Sequence, residues 1–84
     1  MRKSAKAPSA REVFARNLRR ARRLKDVSQE QLALEAGVAR AYVSGVEAGS
    51  RNISIDNMGK LAVALAVPLR DLVDPDKFRG PGEE

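Results

Sequence analysis

Cysteine and histidine are both missing from this 84-residue chain. Without cysteine there can be no disulfide, no thiolate metal site and no thiol nucleophile. Without histidine the commonest general base and metal ligand are gone as well. Tryptophan is absent too, and aromatic residues make up only 4% of the chain. No apolar run approaches the roughly 18 residues that a membrane span needs. The first residues are basic, but no apolar stretch follows them as it would in a secretory leader. These absences lead us to expect a cytoplasmic protein with no cofactor, no metal and no catalytic role. The length suits one small domain with a modest core, and pairing with a second copy would add to its stability.

Charge is plentiful and unevenly placed. The formal net charge is +5, yet residues 1–25 hold ten of the sixteen Lys and Arg and a single acid, Glu12. Residues 26–84 carry six basic and ten acidic side chains, so a +9 segment meets a −4 one. A compact basic block suits a polyanionic partner. The plainer alternative is a solvated helix face.

Residues 1–8, with Arg2, Lys3, Lys6 and Pro8, read as a flexible basic arm. Ser9 followed by Glu12 forms a capping box, which starts a first helix at Ala10. Its apolar stripe is Ala10, Val13, Phe14, Leu18, Ala21 and Leu24, with Arg16, Arg19, Arg20 and Arg23 away from it. Ser28 and Gln31 form a second capping box, and that helix runs to about Ala36. Gly37 stops it, because a left-handed residue is least costly as glycine. A third helix is expected at about Arg40 to Ala48, ended by Gly49. Ser54 caps a fourth, with a stripe of Met58, Leu61, Ala62 and Leu65. Pro68 opens a short fifth containing Leu69, Leu72 and Val73. Residues 74–84 carry prolines, glycines and only Phe78 as an apolar side chain, and read as a loose tail. The expectation is an all-α fold of five short helices, with the domain spanning 9–73.

Helices two and three have the layout of a helix-turn-helix. On the third, Val43 and Val46 point inward, and Glu47 lies close to both on the wheel. A carboxylate there is costly unless paired. Arg22, at the edge of the first helix's stripe, is the partner expected, unless Glu47 escapes to solvent at the helix end. The opposite face, Ala41, Ser44, Gly45 and Ala48, is nearly bare. Such a face suits the close approach of another surface, either a DNA major groove or a packed helix. Arg40 flanks it and can donate twice to guanine O6 and N7. Ala41 offers a methyl group to thymine, Ser44 a weakly discriminating hydroxyl, and Gly45 is expected among the base contacts with them. Gln29, at the start of helix two, can hold a phosphate. Arg51 and Asn52 can grip the DNA backbone from the other side, and Arg19 can add a phosphate contact.

Residues 13–73 resemble the Cro/CI-type (Xre) helix-turn-helix family of bacterial and phage transcription regulators. The likeness is carried by Arg22, Ser28-Gln29-Glu30, Leu32-Ala33, Gly37-Val38, Val43-Ser44, Val46-Glu47, Gly49 and the run Leu61 to Leu65. It implies a lambda-repressor-like domain of five helices that binds a two-fold DNA site as a dimer. It also implies the Arg22–Glu47 ion pair. The string Arg40 to Glu47, followed by Arg51-Asn52-Ile53-Ser54, is similar to the controller proteins of restriction–modification systems. That likeness implies guanine readout by Arg40, a DNA backbone contact by Tyr42 and base or phosphate contacts by Arg51. Three positions depart from the pattern. Ala39 replaces a capping Ser or Thr, Ala41 a frequent polar residue, and Ile53 a frequent proline.

The function expected is therefore a sequence-specific DNA-binding homodimer. Its recognition helices would sit about one turn of duplex apart, roughly 34 Å. The contact between copies is expected at the end of helix four and helix five, through Leu69, Leu72 and Val73, some of which also close the monomer core. Repression would follow from covering a promoter, activation from touching RNA polymerase. No small-molecule effector is expected. A second reading is a protein-interaction module of the same fold, antitoxin- or coactivator-like, with weak non-specific DNA binding.

Overall fold

The computed structural model describes residues 7–78. Residues 1–6 of the expected arm, Lys3 among them, and residues 79–84 of the expected tail lie outside the described residues. The described chain is all-α, with α1 Ala10–Leu24, α2 Gln29–Ala36, α3 Arg40–Glu47, α4 Ile55–Leu65 and α5 Leu69–Leu72.

Local chemistry sets most of the helix ends. Ser9 Oγ accepts from the Glu12 amide, and the Glu12 carboxylate accepts from the Ser9 amide. Ser28 and Gln31 repeat the same reciprocal box. Ser54 Oγ accepts from the Asn57 amide. Ala39 supplies no side-chain cap to α3, as an alanine must. Gly37 ends α2 at φ 74° and ψ 33°, with the Val38 amide donating back to the Ala33 carbonyl at 3.0 Å. α4 ends in the same way at Ala66, φ 58°, with the Val67 amide on the Ala62 carbonyl at 3.0 Å. A β-carbon is strained in that left-handed region. Ala66→Gly should therefore raise stability by about 0.5–1 kcal/mol. Thermal melting of the two proteins checks this, and a lowered midpoint would show that no strain is stored there.

Phe14, Leu18 and Ala21 of α1 meet Leu32, Ala33, Val43, Val46, Leu61, Ala62, Leu65 and Leu72 in one core. The stripe of α1 is shifted from the expected one. Ala10 and Leu24 are exposed, Leu24 at 76%, while Asn17 and Arg20 are buried. The shift follows from what covers α1. Asn17 Nδ2 lies 3.3, 3.1 and 2.8 Å from the carbonyl oxygens of Asp71, Leu72 and Asp74. Arg16 Nη2 donates to the Pro75 carbonyl and Arg20 Nη1 to that of Phe78, whose side chain packs against the core. Residues 74–78 are thus a strap pinned along α1, not part of a loose tail. The polar side chains of α1 supply donors that the strap's carbonyls need.

Candidate nucleic-acid interface

α2, the turn at Gly37 and α3 form the helix-turn-helix, and α3 is fixed from beneath. Val43 and Val46 are buried, and Glu47 is only 4% exposed. Arg22 Nε donates to Glu47 Oε2 at 2.6 Å, and Arg22 Nη2 to Oε1 at 2.9 Å. Gln29 Nε2 adds a third hydrogen bond to Oε1 at 3.1 Å. The Arg22 Nη1 group donates to the Val27 carbonyl at 2.8 Å. One carboxylate therefore ties α1 and α2 to the end of α3. The hydrogen bond to Glu47 raises the Arg22 pKa above its ordinary value; burial opposes this, and the charge of Glu47 reinforces it. Gln29 is turned inward in this arrangement. Its carboxamide braces α3 through one N–H, so the side chain expected to hold a phosphate also makes a structural bond.

The outward side of α3 is open. Arg40, Ala41, Ser44 and Ala48 are exposed, so the bare face is not consumed by the chain's own packing. Gly45 is different: it is half-covered, because the Arg51 side chain lies across it. The Arg51 guanidinium also sits over the Tyr42 ring, 5.4 Å from its centroid. Tyr42 in turn accepts a hydrogen bond from Asn57 Nδ2 at 3.0 Å. Asn52 Oδ1 accepts from Arg11 Nη2 at 2.7 Å. The structure thus gathers Arg40, Tyr42, Arg51, Asn52 and Arg11 around one smooth helix. Arg19 is half-buried on α1.

Two residues of this constellation, Arg11 and Asn57, are not evident from sequence. Arg11 opens α1 among many other arginines, and Asn57 follows the Ser54 cap like any polar first-turn residue. Neither carries a local signal of its destination. The expected contact between copies also changes. Leu72 is 0% exposed and packs in the core of this chain, so it has no surface to offer a second copy. Leu69 keeps part of its surface and Val73 is 46% exposed.

Residues 18–72 match the sequence profile of the family described as "Helix-turn-helix". The chain belongs to this family. Within it, control protein C.BamHI of Bacillus amyloliquefaciens is 43% identical over 63 residues, covering 74% of this chain and 78% of that protein. The crystal structure of the restriction–modification controller protein C.AhdI from Aeromonas hydrophila superposes with a TM-score of 0.72 at 47% identity. That alignment spans 74% of this chain and 94% of C.AhdI. The controller protein C.Esp1396I, solved as a tetramer with its natural 35-base-pair operator, shares the fold at a TM-score of 0.71. It is 24% identical, over 80% of this chain and 97% of that one. The family's members are transcription regulators rather than enzymes. Among the described residues no helix is long and apolar enough to cross a membrane.

Proposed function

We propose that this chain is a controller-type transcription regulator that binds a two-fold operator as a homodimer, with α3 in the major groove. One observation carries the reading: α3 is anchored through Glu47 yet leaves Ala41, Ser44 and Ala48 bare and exposed beside Arg40. A groove-entering helix needs both a rigid base and a face free of bulky charge. The operator complex of C.Esp1396I and the controller likeness of C.BamHI and C.AhdI support it.

In this reading Arg40, at the start of α3, donates in a fork to a guanine edge. Ala41 and Ser44 tune the neighbouring positions by contact. Tyr42, Arg51, Asn52, Arg11 and Arg19 track the sugar-phosphate strands, and the basic arm adds counter-charge. Leu69 and Val73 contribute to the contact between copies, each copy presenting the same patch to the other.

A duplex selected by the wild-type chain from a random-sequence pool tests the reading. Arg40→Ala should weaken binding to that duplex by about 1–3 kcal/mol and relax base preference at one position in each half-site. Random duplex should be bound almost as before. Selection of no sequence at all, or unchanged preference in the variant, would overturn the assignment.

A further inference from the structure

Gly45 sits in the middle of α3, where glycine is among the poorest helix formers. No left-handed backbone requires it there, and α3 is regular around it. The reason lies in what occupies the space of its missing side chain. A β-carbon built on Gly45 would stand 3.1 Å from Arg51 Nε and 3.2 Å from both Arg51 Cδ and Cγ. The arginine therefore rests directly on the glycine backbone. The turn after α3 brings it there: Gly49 is left-handed at φ 76°, and the Ser50 amide and hydroxyl both donate to the Gly45 carbonyl, at 3.0 and 3.2 Å. The second wall of this seat is the Tyr42 ring beneath the guanidinium. That ring is held from α4 by Asn57 Nδ2 on the phenol oxygen.

We propose that Gly45 serves DNA recognition as the seat of Arg51 rather than as a base contact, and that Asn57, acting through Tyr42, is the second positioning residue of that seat. The proposal rests on α3 being the DNA-facing helix. α3 itself carries only one cation, Arg40. A second cation delivered by a loop would ordinarily lose much rotamer freedom on binding. Laid on Gly45 and Tyr42, Arg51 is ordered beforehand, so less of its freedom is lost when it meets DNA. In this arrangement Asn57 works by fixing the ring.

A double-mutant cycle in the full chain tests this, using the duplex selected from a random pool. Gly45→Ala should melt no lower than the wild type, because alanine favours the helix and the exposed Arg51 side chain can give way. It should nevertheless bind the selected duplex about three- to tenfold more weakly, the loss of part of one charge-assisted contact. In an Arg51→Ala background the same substitution should cost less than about twofold, as expected for two changes acting through one group. Asn57→Ala should follow the same pattern. An equal loss from Gly45→Ala in both backgrounds would mean that the added methyl meets DNA itself, and would overturn the proposal. No loss from Gly45→Ala in the wild-type background would overturn it too. Should Arg51→Ala leave affinity unchanged while Arg40→Ala abolishes preference, the seat fails and the DNA-facing role of α3 stands.

Discussion

Glu47→Ala should destabilise the domain by about 3–5 kcal/mol, the usual result of stripping one partner from a buried ion pair. Small domains hold only about 5–15 kcal/mol in all, so this single change removes much of the fold's margin. Two of the three hydrogen bonds from Arg22 and the one from Gln29 end on that carboxylate. Without it the guanidinium keeps only the Val27 carbonyl and stays charged. The pair itself is not what the stability depends on. The double variant Arg22→Met, Glu47→Leu should recover most of the loss, because two apolar side chains leave no unmatched charge. Urea unfolding midpoints for the single and double variants decide the matter. A single variant as stable as the wild type would mean that Arg22 finds water once freed. The stability gained through the raised Arg22 pKa is fully present below the unfolded-state value. It is lost only as pH rises through the higher folded-state value, beyond ordinary working conditions. No pH dependence of stability from Arg22 should be seen between pH 5 and 9, about the span in which an arginine never titrates.

Asn17→Asp should cost at least about 3 kcal/mol at pH 7, since it replaces a buried donor with charge facing acceptors. Asn17 is 0% exposed, and its nitrogen faces the carbonyls of Asp71, Leu72 and Asp74. The new carboxylate would have nearly the same shape but nothing to donate. Its pKa in the folded variant should rise above the ordinary carboxylate value. The penalty is then largest above that folded-state pKa, and shrinks as pH falls toward about 4, where the protonated carboxyl can donate again. Asn17→Ala should show a smaller loss, about 2–3 kcal/mol, with no such dependence on pH. Denaturation curves at pH 5 and pH 8 separate the two. If Asn17→Asp shows no pH dependence, the group has moved to solvent and the strap has been released.

How much of this could be read in advance depended on distance along the chain. Caps at Ser9, Ser28 and Ser54 and the stop at Gly37 involve partners within a few residues, so the relevant chemistry is adjacent in the sequence. The pairing of Arg22 with Glu47 spans 25 positions, but a carboxylate on an inward stripe demands a cation, and few were suitably placed. Asn17 and Arg20 lacked any comparable clue. Their partners are backbone carbonyls 54 to 58 positions away, and a carbonyl has the same signature at every residue. The segment after α5 looked unstructured because composition registers its prolines and acids, not the donors waiting on α1. Leu72 shows a different limit: an apolar pattern says that a side chain is covered, but not by which copy of the protein. Gly45 shows another, since its reason stands six positions later, in Arg51.

The strap along α1 has a consequence for how the protein is made. Translation delivers α1 first, while the carbonyls that satisfy Asn17, Arg16 and Arg20 belong to residues 71–78. At synthesis rates of about 5–20 residues per second, those acceptors follow on the order of 3–12 s later. During that interval Phe14 and Leu18 lack Leu72 and the rest of their cover. The first helix therefore gains its full cover only after residues 71–78 have been added.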